Sequence, residues 1–162
     1  GSSVGVHIIL ENTTYPLNFI DMPEVLLVER YIPGRELTVA VMGNSSESRP
    51  LAVTELIPRS GFYNYEAKYT DGKTKHICPA SISPEIYKLA MEWSATAHEA
   101  LGCRGISRSD LRYDDTKNQL VMLEVNTQPG MTSLSLVPEQ AHHVGISFPE
   151  LVSWMVENAQ CD

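Results

Sequence analysis

No stretch of this chain is long and apolar enough to span a membrane, since its hydrophobic runs end well short of the ~20 residues a bilayer requires. Positive charge is scarce as well. Lys and Arg number 12 against 20 Asp and Glu, a net charge of −8. No basic field exists to hold a nucleic-acid backbone or an anionic membrane, so neither is expected as a partner. An anionic ligand would need local cations or a metal. Cysteine is sparse too: Cys78, Cys103 and Cys161 lie far apart, with no Cys-x-x-Cys or Cys/His pair at zinc spacing. They read as free thiols in a reducing compartment. With no charged-then-apolar leader at its start, the chain is expected in the cytoplasm, as a protein or a piece of one.

What is present is globular material. Of 162 residues, 43% are hydrophobic and 20% charged, enough for one domain that buries about 70% of its unfolded surface. The first residues are Gly1-Ser2-Ser3-Val4-Gly5-Val6, whose hydroxyls and successive backbone N–H groups suit an anion cradle. Gly-Ser-Ser also fits the scar of a purification tag. Phosphate loops normally connect two ordered elements and no strand precedes this one, so further residues are expected upstream.

Residues 6–10 can continue a strand, residues 11–23 read as a polar connection, and residues 25–31 are an apolar, β-prone run stopped by Pro33-Gly34. Strands are expected at 36–42 and 51–57 around a turn over 43–50, and at 104–113 and 120–126 around a turn over 114–118. Residues 61–81 show weak periodicity and read as a long functional loop. A helix is expected over 84–101 with a stop at Gly102. Another opens at Ser147-Phe148-Pro149-Glu150, with serine at the cap, proline in the first turn and glutamate three residues on. Met42, Met122 and Leu123 are assigned to the core. The class is α+β, an antiparallel sheet with helices on one side.

Two strings carry most of the chemistry: Arg108-Ser109-Asp110 and Glu124-Val125-Asn126. Alternate residues of a strand share a face, which puts Arg108 beside Asp110 and Glu124 beside Asn126. Two carboxylates and an amide oxygen next to a guanidinium suit Mg²⁺, a hard cation completed by water and nucleotide phosphates. A solvated salt-bridge patch has the same composition. Glu29-Arg30-Tyr31-Ile32 can offer backbone groups to an adenine edge with Glu36 as a ribose acceptor, or can be a solvated sheet end. Lys68 and Tyr69 can neutralise phosphate and orient a substrate, or can anchor their loop. The five histidines form no pattern.

Taken in order, Gly1-Ser2-Ser3-Val4-Gly5, Glu29-Arg30-Tyr31-Ile32-x-Gly34-x-Glu36, Tyr63-x-Tyr65-Glu66-Ala67-Lys68-Tyr69, Cys78-Pro79-Ala80, Gly102-Cys103-Arg104-Gly105, Arg108-Ser109-Asp110 and Glu124-x-Asn126-Thr127-x-Pro129-Gly130-Met131-Thr132-Ser133-x-Ser135-Leu136-Val137-Pro138 resemble D-alanine–D-alanine ligase, of the ATP-grasp superfamily. The likeness runs over essentially the whole chain. Its last motif is the most specific, and Val4-Gly5-Val6 continues the family's loop in register, which favours the cradle over the tag scar.

The resemblance implies an ATP-grasp fold truncated at its N-terminus, with ATP between two subdomains and Mg²⁺, or Mn²⁺ in its place, on the phosphates. It implies Asp110, Glu124 and Asn126 as metal ligands, Glu29 and the Arg30 to Ile32 backbone as adenine hinge, Glu36 as ribose contact and Lys68 as phosphate contact. Arg108 and the Gly130 N–H resemble the oxyanion site. Ser135 and the Leu136 N–H resemble the holder of the second substrate's carboxylate. Ser2 and Tyr69 resemble members of a triad that closes the long loop. The implied reaction joins two D-alanines through an acyl phosphate for peptidoglycan precursors. Residues 1–34 would be a remnant of the central subdomain and residues 35–162 the C-terminal catalytic subdomain. The N-terminal part of the same enzyme would be the partner, and the complete enzyme a homodimer. A D-lactate- or D-serine-using ligase and a non-catalytic nucleotide-binding module remain alternatives.

Overall fold

The computed structural model describes residues 6–11, 25–44, 47–58, 74–132 and 134–160. Leu37, Val39 and Val41 alternate with Thr38, Ala40 and Met42, and all six are buried. A strand with two such faces must lie inside a sheet covered on both sides. It does: β1 (Arg35–Asn44) is the middle of five strands, with β2 (Glu47–Pro58), β3 (Thr74–Ile77), β4 (Gly105–Asp114) and β5 (Gln119–Asn126) ordered β3-β2-β1-β4-β5. Every neighbouring pair is antiparallel.

Helices cover both faces rather than one, which corrects the expectation. On the first face α1 (Pro84–Ala100) places Ile86 and Ala90 against Leu37, Val39, Val41, Val53 and Leu111. On the second, α2 (Leu136–His143) and α3 (Phe148–Glu157) bring Val137, Ala141 and Leu151 onto Ala40, Met42, Leu51 and Ile106. The cause lies in β1, whose even-numbered positions need their own cover. Arg35 forks onto Glu55 at 2.7 and 2.6 Å and reaches the Ser81 carbonyl at 2.8 Å, tying β1 to β2 and to the lead-in of α1.

Local signals behave as their chemistry requires. The Ser83 hydroxyl accepts from the Ile86 N–H and Pro84 opens α1, while Ser147 and Glu150 form a reciprocal capping box at α3. The turn over 43–50 is shorter than expected, because β1 runs to Asn44 and β2 begins at Glu47. The loop expected over 61–81 contains β3, which pairs its four residues with Glu55 to Pro58. No strand forms over residues 25–31. Val25, Leu27 and Val28 are 85%, 85% and 87% exposed, since a β-prone run needs a ladder partner and none of the described strands pairs with it. Residues 6–10 also carry no strand. Burial pushes the Cys78 and Cys103 thiols up, so both free thiols stay protonated near neutrality. Among the described residues no helix is long and apolar enough to cross a membrane.

Candidate active site

The β4–β5 register sets Arg108 opposite Asn126 and Asp110 opposite Glu124, so all four side chains share the face covered by α2. One irregularity makes this possible. Leu111 pairs with Met122 while Asp110 pairs with Glu124, leaving Leu123 as an extra residue, a β-bulge. Before it, Leu120 and Met122 pack toward α1; after it, Glu124 and Asn126 point to the opposite side. Leu123 is 49% exposed and is not a core residue, contrary to expectation.

Asp110 is held rigidly. Arg108 Nε and Nη2 donate to its two oxygens at 2.9 and 2.8 Å, and the buried Thr38 hydroxyl donates to Oδ1 at 2.8 Å. A bidentate fork of this kind fixes the orientation of the carboxylate. Glu124 is exposed, and Asn126 Oδ1 accepts from the Gln128 N–H at 2.9 Å, turning the chain into the next loop. In that loop the Ser135 hydroxyl accepts from the Thr132 N–H at 2.9 Å instead of capping α2. Without a capping bond from Ser135, the start of α2, with the Leu136 N–H, carries the positive end of the helix dipole. Gly130 packs against this serine: a Cβ there would meet Ser135 Oγ at 2.9 Å.

The next row along the same face is Glu36 opposite Arg112. Arg112 was not singled out from sequence, yet it organises the segment before β1. Its Nε donates to the Ile32 carbonyl and Nη2 to the Gly34 carbonyl, both at 3.0 Å, its Nη1 lies 3.3 Å from Glu36, and its guanidinium stands 6.0 Å from the Tyr31 ring centroid. The available signal was its position two residues past Asp110, on the same face of the strand. Glu29 and Arg30 stand exposed on the chain leading to this row. Ser2, Lys68 and Tyr69 lie outside the described residues. Arg112→Met should release the Ile32–Gly34 segment and lower stability by about 1–3 kcal/mol, the loss of one charge-assisted contact network. Urea denaturation checks this, and an unchanged midpoint would mean that Arg112 does not organise the segment.

Among the described residues no three His, Cys, Asp or Glu side chains cluster as a self-sufficient metal site. Asp110, Glu124 and Asn126 are instead two carboxylates and an amide oxygen, an incomplete hard-oxygen set. Such a set fits a divalent cation whose remaining ligands come from water and a bound phosphate.

A solved D-alanine–D-alanine ligase of Bacillus anthracis complexed with ATP superposes with a TM-score of 0.64 at 29% identity, over 80% of this chain and 41% of that one. The VanG D-Ala:D-Ser ligase of Enterococcus faecalis gives a TM-score of 0.63 at 36% identity, over 78% and 36%. The fold is therefore that of the ATP-grasp ligases. Residues 1–157 match the family described as D-ala D-ala ligase C-terminus, and the chain belongs to that family. The D-alanine–D-alanine ligases of Rhodospirillum rubrum and Paramagnetospirillum magneticum are each 56% identical over all of this chain. The chain spans about half the length of these relatives, 53% in both cases.

Proposed function

We propose that this chain is the catalytic C-terminal part of an ATP-dependent D-alanine–D-alanine ligase that makes a peptidoglycan precursor. The observation that carries the reading is the row of Arg108, Asp110, Glu124 and Asn126 on one sheet face, in a chain of this family. Residues 1–34 belong to the central subdomain and residues 35–162 form the C-terminal one. The remainder of the enzyme supplies the other wall of the nucleotide cleft, and the complete enzyme works as a homodimer in the cytoplasm, where ATP is available.

In the proposed reaction the carboxylate of one D-alanine attacks the γ-phosphate of ATP, giving D-alanyl phosphate and ADP. The amine of the second D-alanine then attacks the carbonyl carbon, phosphate departs, and a proton leaves the new amide. Negative charge grows on oxygen in both steps, so fixed positive groups lower both barriers. Arg108, immobilised by Asp110, and the Gly130 N–H face that charge. Ser135 and the Leu136 N–H, at the start of α2, hold the second carboxylate. Arg30 and Ile32 present their backbone to adenine beside Glu29, while Glu36 takes the ribose. Lys68 meets phosphate, and Ser2 and Tyr69 close the loop that excludes water. Asp110, Glu124 and Asn126 would hold Mg²⁺, with Mn²⁺ as substitute, which when bound neutralises phosphate charge.

A D-serine acceptor is the second reading, favoured by the 36% identity to the VanG enzyme; the 56% identity to D-alanine–D-alanine ligases supports the first. The complete enzyme, given ATP, Mg²⁺ and D-alanine with D-alanine, D-serine or D-lactate as acceptor, should form D-alanyl-D-alanine with equimolar ADP. A preference for another acceptor would select the second reading. Absence of any dipeptide would leave a nucleotide-binding module.

A further inference from the structure

Gln140 is fully buried on α2 and plays no part in the chemistry above. Its side chain reaches an irregularity in the central ladder: between Val39 and Val41 the register with β2 slips, and Val41 pairs with Pro50. There Gln140 Oε1 accepts from the Ala40 N–H at 2.7 Å, while Nε2 donates to the Thr38 carbonyl and to Thr54 Oγ1, each at 3.1 Å. The Thr38 hydroxyl in turn donates to Asp110 at 2.8 Å. A continuous polar path therefore runs from α2 through Gln140 and Thr38 to Asp110 and Arg108. The same helix begins at Ser135 and Leu136.

We propose that Gln140 is a positioning residue that sets the acceptor-carboxylate end of α2 against the Asp110–Arg108 pair. The inference rests on reading this face as the ligase site. Apolar contacts of Val137 and Ala141 with Ala40 and Met42 press α2 onto the sheet, but such contacts are non-directional and tolerate sliding. Three hydrogen bonds aimed at fixed backbone and hydroxyl groups fix both the helix's place along β1 and its rotation. Reaction rates are sensitive to displacements of about 1 Å, so a helix carrying one substrate's anchor needs this register.

The test uses the complete ligase. Wild-type dipeptide formation comes first: none would overturn the reading of the site, and the proposal with it, whatever Gln140 does. Gln140→Met keeps the volume and removes all three bonds; it should raise the acceptor KM about tenfold while KM for ATP stays within about twofold of wild type. Gln140→Asn, one methylene shorter, cannot reach Ala40 and Thr38 together and should raise the acceptor KM by about threefold. A lowered thermal midpoint with an unchanged acceptor KM, or equal rises in both KM values, would make Gln140 a structural strut and overturn the proposal. If the Met variant does not fold, the Asn variant decides by the same two KM values.

Discussion

On the proposed function, Glu124→Gln should leave the complete enzyme folded and almost inactive. Glu124 is exposed and lies opposite Asp110 across the β4–β5 ladder, so an isosteric amide disturbs no packing and removes one negative charge from the hard-oxygen set. Loss of metal affinity and of phosphate-charge stabilisation should reduce kcat about 1,000-fold, or about 4 kcal/mol at the transition state. Circular dichroism and thermal melting should match wild type while dipeptide formation nearly vanishes. Higher Mg²⁺ should recover part of the activity if weakened metal binding contributes. Turnover within about tenfold of wild type would remove Glu124 from the metal shell.

Leu37→Ala should be the most damaging single truncation of the core. Leu37 is 0% exposed in the middle strand and packs with Val39, Val41, Leu111 and the inner side of α1. Deleting its branched end leaves a cavity that β1, paired on both sides, cannot close, at a cost of about 3–4 kcal/mol. Urea denaturation should show the loss as a lowered midpoint with an unchanged slope. A cost below about 1 kcal/mol would mean that the core relaxes into the space. Because Leu37 sits next to Thr38, a surviving variant should also loosen the hydrogen bond from Thr38 to Asp110.

Sequence alternation was enough to find β1, β2, β4 and β5, because each carries apolar residues at the strand period or as a continuous run. The glycine stop after α1 and the capping box of α3 were equally legible, being local chemistry at fixed offsets, whereas the Ser83 cap of α1 was not singled out. β3 was not: four residues, Thr-Lys-His-Ile, are too short and polar to show a period, and only pairing with β2 makes them a strand. α2 was missed because its eight residues include Pro138 and end in two histidines, so it forms by docking rather than by propensity. Residues 25–31 misled in the other direction, since β propensity reports fit to a sheet and not the presence of a neighbour. At the candidate site, the pairing of residues within each strand could be read from spacing alone. That Asp110 faces Glu124, that Thr38 supports Asp110 and that Arg112 gathers Ile32, Gly34 and Glu36 depends on register between strands, which no single segment encodes.

The extra residue at Leu123 makes β5 a phase shifter. An uninterrupted alternation that puts Leu120 and Met122 against α1 would turn Glu124 and Asn126 the same way, into hydrocarbon. The unpaired position absorbs that half-period and lets one strand serve two masters, a core at its start and a charged surface at its end. Length at this point should therefore matter by parity. Removing Leu123 would restore plain alternation and still leave Glu124 facing Asp110, whereas inserting a second residue beside it would restore alternation with both polar side chains on the same face but slide Glu124 along to face Arg108. Editing by one residue should thus separate two halves of a strand that substitutions can only perturb together.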